Sequence, residues 1–120
     1  MSQGFAYDPN SGLIGKTPVE KFGSLAAAVP STETVITTYT VPASTTANLK
    51  GVFGEGGSDG LFILYVNSVA LWRWRNAWTQ RGTAEALDKA LVAGDIVDLK
   101  VTNQKTTNQP FSGGFYVYEL

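Results

Sequence analysis

An unbroken apolar run followed by an alternating one marks the centre of the chain. Residues 61–66 (LFILYV) are all apolar and rich in strand-forming types, which indicates a strand buried on both faces. Asn67 and Ser68 come next and suit a two-residue turn, because both are small and polar and Asn tolerates a positive φ. The pattern predicts a β-hairpin over residues 61–78, the central hairpin of an antiparallel domain.

The returning strand of this hairpin carries the chemistry that the sequence makes most visible. Trp72, Trp74 and Trp78 share one face, and Arg73 and Arg75 lie on the other. The indoles have three interpretations, which stay open: packing in the core, a protein interface, or a platform for stacking a sugar ring. An outward arginine pair suits a carboxylate on a partner subunit. Both arginines are therefore candidate partner-binding residues.

Alternating β-branched and aromatic residues predict further strands on both sides of the hairpin. These predicted strands cover residues 34–41, 47–53, 79–87, 96–102 and 115–120. Residues 54–60 and 103–114 are predicted to be loops, and residues 84–93 have one or two helical turns as an alternative. Seven or so short strands indicate an all-β fold, an antiparallel β-sandwich of jelly-roll-like type. The last strand is expected to leave an open edge or to pair with a neighbour.

Residues 1–33 differ, because Pro or Gly interrupts them every few residues. They offer no regular element beyond one short helical turn over residues 18–28. They nevertheless hold more apolar side chains than a flexible tail does. The predicted domains are therefore an extended N-terminal arm, 1–33, and a β-sandwich, 34–120. The arm straps its own domain or becomes ordered against a neighbouring subunit, and five of its residues are candidate partner-binding residues: Phe5, Tyr7, Leu13, Ile14 and Phe22.

Composition narrows the possible chemistry. The chain has 120 residues, nine Lys or Arg, ten Asp or Glu, no His and no Cys. Disulfides, thiolate metal sites and His-dependent nucleophiles are thereby excluded. Nucleic acid is not an expected partner because clustered cations are missing, and a membrane is not expected because no apolar stretch approaches about 20 residues. We predict no enzymatic activity, no catalytic residues, no cofactor and no metal.

The order of motifs between residues 35 and 103 resembles a known class of protein. A Thr-rich strand ending in TVPAST precedes ANLKGVFGEGGSDGLFILYVN, a hairpin strand with arginines, and LVAGDIVDLKVTN. This order resembles the small β-sandwich virion proteins of tailed bacteriophages, which decorate capsids or serve as accessory parts of the tail and baseplate. The resemblance covers the sandwich and not the arm, and it implies no catalytic residues.

The resemblance implies a non-enzymatic bacteriophage virion structural protein, either a capsid decoration (cement) protein or a head–tail or baseplate accessory protein. Its expected partners are other virion proteins, capsid or tail subunits, bound through the arm and one sheet face. A homo-oligomer or another symmetric assembly is expected. We expect a location in the virion, assembled in the host bacterial cytoplasm. The alternative is a receptor- or carbohydrate-binding β-sandwich module that binds a host glycan.

Overall fold

The computed structural model describes residues 17–56, 59–76 and 83–120. This part of the chain contains eight β-strands and no helix, and hence no helix that is long and apolar enough to cross a membrane. The strands are β1 Thr17–Ala28, β2 Glu33–Thr40, β3 Ala47–Gly56, β4 Gly60–Val66, β5 Val69–Asn76, β6 Thr83–Leu91, β7 Ile96–Asn103 and β8 Gln109–Glu119.

The strands form two four-stranded sheets that pack face to face. Sheet I has the order β1-β8-β3-β6, and sheet II has the order β2-β7-β4-β5. Every strand pair is antiparallel. The prediction of an all-β, sandwich-like fold is therefore confirmed.

The core lies between the sheets and is built from alternate residues of each strand. In β7 the residues predicted to face inward, Val97, Leu99 and Val101, have no exposed area. Phe115 and Val117 of β8 are equally buried on the facing sheet. Because successive side chains of a strand point to opposite faces, each of these strands also presents a row of residues to solvent.

The predicted central hairpin is confirmed as β4 and β5. Val66 pairs with Val69 across the turn. Asn67 and Ser68 have φ angles of 52° and 67°, the positive values that a type I′ turn requires. The register shifts after this turn and leaves Leu71 as an extra residue, a β-bulge on the outer strand of sheet II.

The first described strand corrects the predicted arm. Residues 18–28 form neither a helical turn nor an irregular segment, because β1 pairs with β8 from Thr17 to Leu25. Gly23, which locally suggests a break, lies where β1 passes close to β2. A Cβ atom there would stand 2.1 Å from the carbonyl oxygen of Ile36. Residues 1–16 lie outside the described residues, so a separate arm stays a prediction for them.

The last strand also differs from the prediction. It begins at Gln109, inside the predicted loop 103–114, and it lies between β1 and β3 rather than at an edge. Gly113 and Gly114 lie within this strand. Glycine suits both positions because neighbouring backbones approach so closely that a side chain would not fit. A Cβ atom on Gly114 would lie 2.0 Å from the carbonyl oxygen of Lys21. The helical alternative for residues 84–93 is likewise wrong, since β6 occupies most of them.

Candidate interaction surfaces

Seven residues are predicted to bind a partner, and the structure describes three of them. Phe22 lies on β1 in sheet I, whereas Arg73 and Arg75 lie on β5 in sheet II. The two groups are therefore not brought together. The other four lie outside the described residues: Phe5, Tyr7, Leu13 and Ile14.

Phe22 belongs to a cluster of three aromatic side chains on the outer face of sheet I, which we call the aromatic patch. Phe22 and Phe53 both pair with Gly114, which lies between them and has no side chain. Their rings stack above it with centroids 5.8 Å apart and planes 13° apart. The Tyr116 ring lies 5.5 Å from that of Phe53. Phe22 and Tyr116 remain 57% and 44% exposed.

The surroundings of the aromatic patch are polar. Glu20 pairs with Tyr116 on the same outer face, and Ser24 pairs with Ser112 one row further along. Glu20 and Ser24 are exposed. An apolar centre with polar residues at its margin is common in protein interfaces, and exposed apolar patches mark interaction sites. The patch is therefore the first candidate surface.

Trp72 and Trp74 lie on the face of β5 that is turned toward the interior of the sandwich. Trp74 stacks on Phe62 with centroids 4.9 Å apart and is half-buried. Trp72 pairs with the fully buried Leu64 but stays 39% exposed. Core packing is therefore the interpretation that Trp74 supports. Trp78 lies outside the described residues.

The two arginines lie on the opposite face of β5 and have different environments. Arg75 donates from Nε to Oδ1 of Asp59 at 2.8 Å and from Nη2 to Oδ2 at 2.9 Å. These bonds raise the pKa of Arg75 and hold the pKa of Asp59 below its ordinary value. Arg73 is exposed and makes no hydrogen bond or ion pair with any described residue. Only Arg73 is therefore free to bind a carboxylate of a partner.

The second candidate surface is the outer edge of β5, which we call the β5 edge. Within the described chain this strand pairs with β4 alone and ends sheet II. Val69, Leu71 and Trp72 expose 69%, 38% and 39% of their surface along it. A cleft of about 280 Å³ adjoins its first residues, with Lys89 of β6 on the other wall. Unpaired strand edges with apolar side chains are sites where other chains add.

Hydrogen bonds from the hairpin turn hold the start of the β5 edge in place. Asn67 donates from Nδ2 to Oδ1 of Asp95 at 2.9 Å, and its Oδ1 accepts from the Ile96 amide at 2.9 Å. The Val92 amide donates to the other oxygen of Asp95 at 2.9 Å. The bond from Asn67, followed by that from Val92, holds the pKa of Asp95 below its ordinary value. The turn is thus fixed to the β6–β7 connection.

Two further carboxylates, those of Glu119 and Glu33, each accept a hydrogen bond from a tyrosine hydroxyl. The Tyr39 hydroxyl donates to Glu119, and burial together with this bond raises the pKa of Tyr39. The Tyr65 hydroxyl donates to Glu33 at 2.7 Å. Among the residues that the structure describes, no three His, Cys, Asp or Glu side chains are grouped so that they could hold a metal ion.

The sequence indicated Phe22, Arg73 and Arg75 and left a protein interface open for Trp72, but it did not indicate Phe53, Tyr116, Val69 or Leu71. Phe53 and Tyr116 join Phe22 through strand register, which a single sequence does not give. Tyr116 itself was an available signal, because it is an aromatic residue that lies between two inward-facing residues, Phe115 and Val117, and must therefore face outward.

Comparison with known proteins assigns no family to the chain. No protein-family model matches it, and no curated protein is significantly similar to it in sequence. The two surfaces and the resemblance of the motifs are therefore the basis for a proposed function.

Proposed function

We propose that this chain is a non-enzymatic structural protein of a bacteriophage virion, a capsid decoration or cement protein or a head–tail or baseplate accessory protein. It binds other virion proteins through its N-terminal residues and through the aromatic patch. The observation that carries the proposal is the patch itself. Phe22 and Tyr116 expose 57% and 44% of their surface on the outer face of sheet I, and contact with a partner would remove this apolar surface from water.

The arrangement of the strands supports the proposal. We assign the sandwich to the jelly-roll type, because every connection except the β4–β5 hairpin crosses from one sheet to the other. Eight-stranded jelly rolls are frequent in viral capsid proteins and in lectins. Because one fold serves many functions, the strand order supports only the class of protein, and the kind of partner is inferred from the two surfaces.

The aromatic patch alone is too small to hold a stable complex. Burial of each apolar side chain contributes on the order of 1.5–3 kcal/mol, and association itself costs several kcal/mol. A stable interface also covers roughly 1,600 Å² in total, more than three side chains supply. The N-terminal residues provide the additional contact in this proposal, with four apolar side chains: Phe5, Tyr7, Leu13 and Ile14. The expected product is a symmetric assembly in the virion.

The alternative is a receptor- or carbohydrate-binding module, and the aromatic patch is also the feature that favours it. The two stacked phenyl rings expose apolar surface beside the carboxylate of Glu20. Aromatic surface stacks on sugar rings, and a carboxylate accepts hydrogen bonds from their hydroxyl groups. In this case the ligand is a host glycan rather than a virion protein.

Density-purified particles of the phage that encodes the chain provide the test. We expect an antibody against the chain to detect it in these particles, and its absence would refute the proposal. In a phage that lacks the gene, a plasmid then supplies the double variant Phe22→Ser, Tyr116→Ser. Incorporation should fall at least tenfold, because about 1.4 kcal/mol of lost affinity is tenfold.

The control for this experiment is Val92→Ser, which removes an apolar side chain that is 60% exposed and lies outside the patch. We expect it to be incorporated as well as the unchanged protein. Full incorporation of the double variant would contradict a role of the patch in assembly. Full incorporation together with loss of binding on a glycan array would favour the carbohydrate-binding alternative.

A further inference from the structure

We infer that the β5 edge binds residues 4–8 of a neighbouring copy of the chain as an added strand. This inference rests on the proposed function, because it specifies where the N-terminal residues of one copy attach to the next. The contact is β-augmentation, in which backbone hydrogen bonds supply affinity and alternate side chains supply specificity.

The two sides of the sandwich differ in a way that leaves β5 available. On one side β1 and β2 approach each other so closely that a Cβ on Gly23 would stand 2.1 Å from the Ile36 carbonyl oxygen. On the opposite side β5 and β6 end their sheets. Here Val69 and Trp72 are exposed although they lie on the inner face of sheet II. An added strand would cover them.

The β5 edge also specifies the chemistry of its occupant. Its inner row is apolar, with Val69, Trp72 and Trp74 opposite core or partly buried residues of β4. Its outer row carries Arg73, which has no ion pair in the described chain, and Arg75, which Asp59 already neutralises. A fitting strand alternates apolar side chains, which face inward, with an acidic side chain, which faces Arg73.

Residues 4–8 of this chain, GFAYD, have that alternation. Phe5 and Tyr7 share one parity, and Ala6 and Asp8 share the other. Pro9 follows directly, and because proline lacks an amide proton it ends a strand there. If the segment runs parallel to β5 with Asp8 beside Arg73, Tyr7 lies beside Trp72 and Phe5 lies near Val69, so that the exposed apolar residues are covered.

A second copy of β5 is a poorer occupant of the same edge. Two antiparallel β5 strands paired about Trp74 would place Arg73 of one copy opposite Arg75 of the other on the outer face. Like charges opposite each other destabilise a strand pair. The N-terminal segment brings the opposite charge instead, so charge complementarity selects it.

Charge reversal in the full-length chain tests this inference by sedimentation equilibrium. We expect the unchanged chain to self-associate, and Arg73→Glu or Asp8→Lys to raise the dissociation constant at least tenfold. The double variant, which restores opposite charges, should recover most of the association. Lys105→Glu makes the same charge change on the β7–β8 loop and should associate normally. A monomeric unchanged chain, or no recovery in the double variant, would overturn the inference.

Crosslinking distinguishes a neighbouring copy from the same chain. Arg73→Lys preserves the positive charge and supplies an amine that a carbodiimide can join to the Asp8 carboxylate. In a mixture of nitrogen-14 and nitrogen-15 protein, the crosslinked peptides should include mixed-isotope pairs. Pairs of a single isotope alone would show attachment within one chain and overturn the exchange between copies.

The two proposals can fail separately. If the charge variants self-associate and enter particles as the unchanged chain does, the strand exchange is wrong and the virion role stands. If the chain is absent from particles, the virion role fails whatever the charge variants do.

Discussion

Trp74 of β5 stacks on Phe62 of β4 with ring planes 4° apart and centroids 4.9 Å apart. The pair closes the core at the side of the sandwich where β5 and β6 are the last strands of their sheets. Phe62 has no exposed area, and it also meets the Phe111 ring of sheet I edge-on at 5.8 Å. Trp74 is thus the outermost member of a row of rings that joins the two sheets.

Truncation of this indole should destabilise the protein. We expect Trp74→Ala to lower the free energy of unfolding by about 3 kcal/mol, since it removes a large packed ring and leaves a cavity. Trp72→Ala, at a position that is 39% exposed, should have a clearly smaller effect. Urea unfolding followed by far-ultraviolet circular dichroism measures both. Equal losses for the two variants would contradict the packing described for Trp74.

A buried asparagine organises the end of sheet II that lies away from the β4–β5 turn. Asn103 has no exposed area, and its Nδ2 donates to the carbonyl oxygens of Ala28 at 2.9 Å and Thr107 at 2.8 Å. Its Oδ1 accepts from the Lys105 amide at 2.8 Å. One side chain thereby ties the end of β1 to the β7–β8 loop.

Loss of these bonds should cost stability in a graded way. Asn103→Ala leaves buried backbone groups unpaired, and we expect a loss of about 2–3 kcal/mol. Asn103→Asp should cost more at neutral pH, because a carboxylate would face the Ala28 carbonyl oxygen. Gln104→Ala, at the neighbouring exposed position, should stay within about 0.5 kcal/mol. A different order of urea midpoints would argue against the role of Asn103.

Glycine at position 23 should be required for close packing rather than for backbone freedom. We expect Gly23→Ala to cost about 3 kcal/mol, because its methyl group would force β1 away from β2. Gly94 provides the contrast, with a φ of 90° and no atom within 4 Å of its Cβ position. Gly94→Ala should cost only about 1–2 kcal/mol of backbone strain. Thermal unfolding of both variants checks the order, which the reverse result would refute.

Two carboxylates should make the free energy of unfolding depend on pH in the acid range. The pKa values of Asp59 and Asp95 are lowered in the folded state by Arg75 and by Asn67 respectively. The unfolded chain therefore binds protons first as the pH falls. Their contribution is fully present above an aspartate's ordinary pKa of about 3.9 and is lost as the pH falls through the folded values.

The measurement is the urea midpoint between pH 7 and pH 2. We expect it to fall below about pH 4, and to fall less steeply in the double variant Asp59→Asn, Asp95→Asn. Arg75→Gln should remove the same part of the slope as Asp59→Asn alone, because the ion pair is the main cause of the shift at Asp59. An unchanged slope in all variants would contradict this account.

The parts of the fold that local chemistry determines could be predicted. The turn at Asn67 and Ser68 follows from residues that accept positive φ, and the inward face of β7 follows from strict alternation. β1 could not be predicted in this way. Gly23 resembles a break in the sequence, yet its small size is what the passage of β2, far along the chain, requires.

The candidate surfaces could likewise be predicted only in part. Phe22 and the arginines were recognisable because each is unusual in its own segment. The aromatic patch depends on the pairing of β1, β8 and β3 around Gly114, which is a matter of register across three strands. Arg75 is paired because Asp59, in the β3–β4 connection, lies beside it, whereas Arg73 has no such partner in the described chain. Neither relationship leaves a periodic signal.

The position of β8 in the middle of sheet I also bears on how fast the chain can fold. Its partner β1 comes from the other end of the described chain, and Thr17 pairs with Glu119. Sheet I therefore cannot form by adding strands in chain order, because β8, the last strand of the chain, lies between β1 and β3. Such distant pairings carry the entropy of closing long loops. We expect refolding on the order of milliseconds to seconds, the range of β-proteins with high contact order.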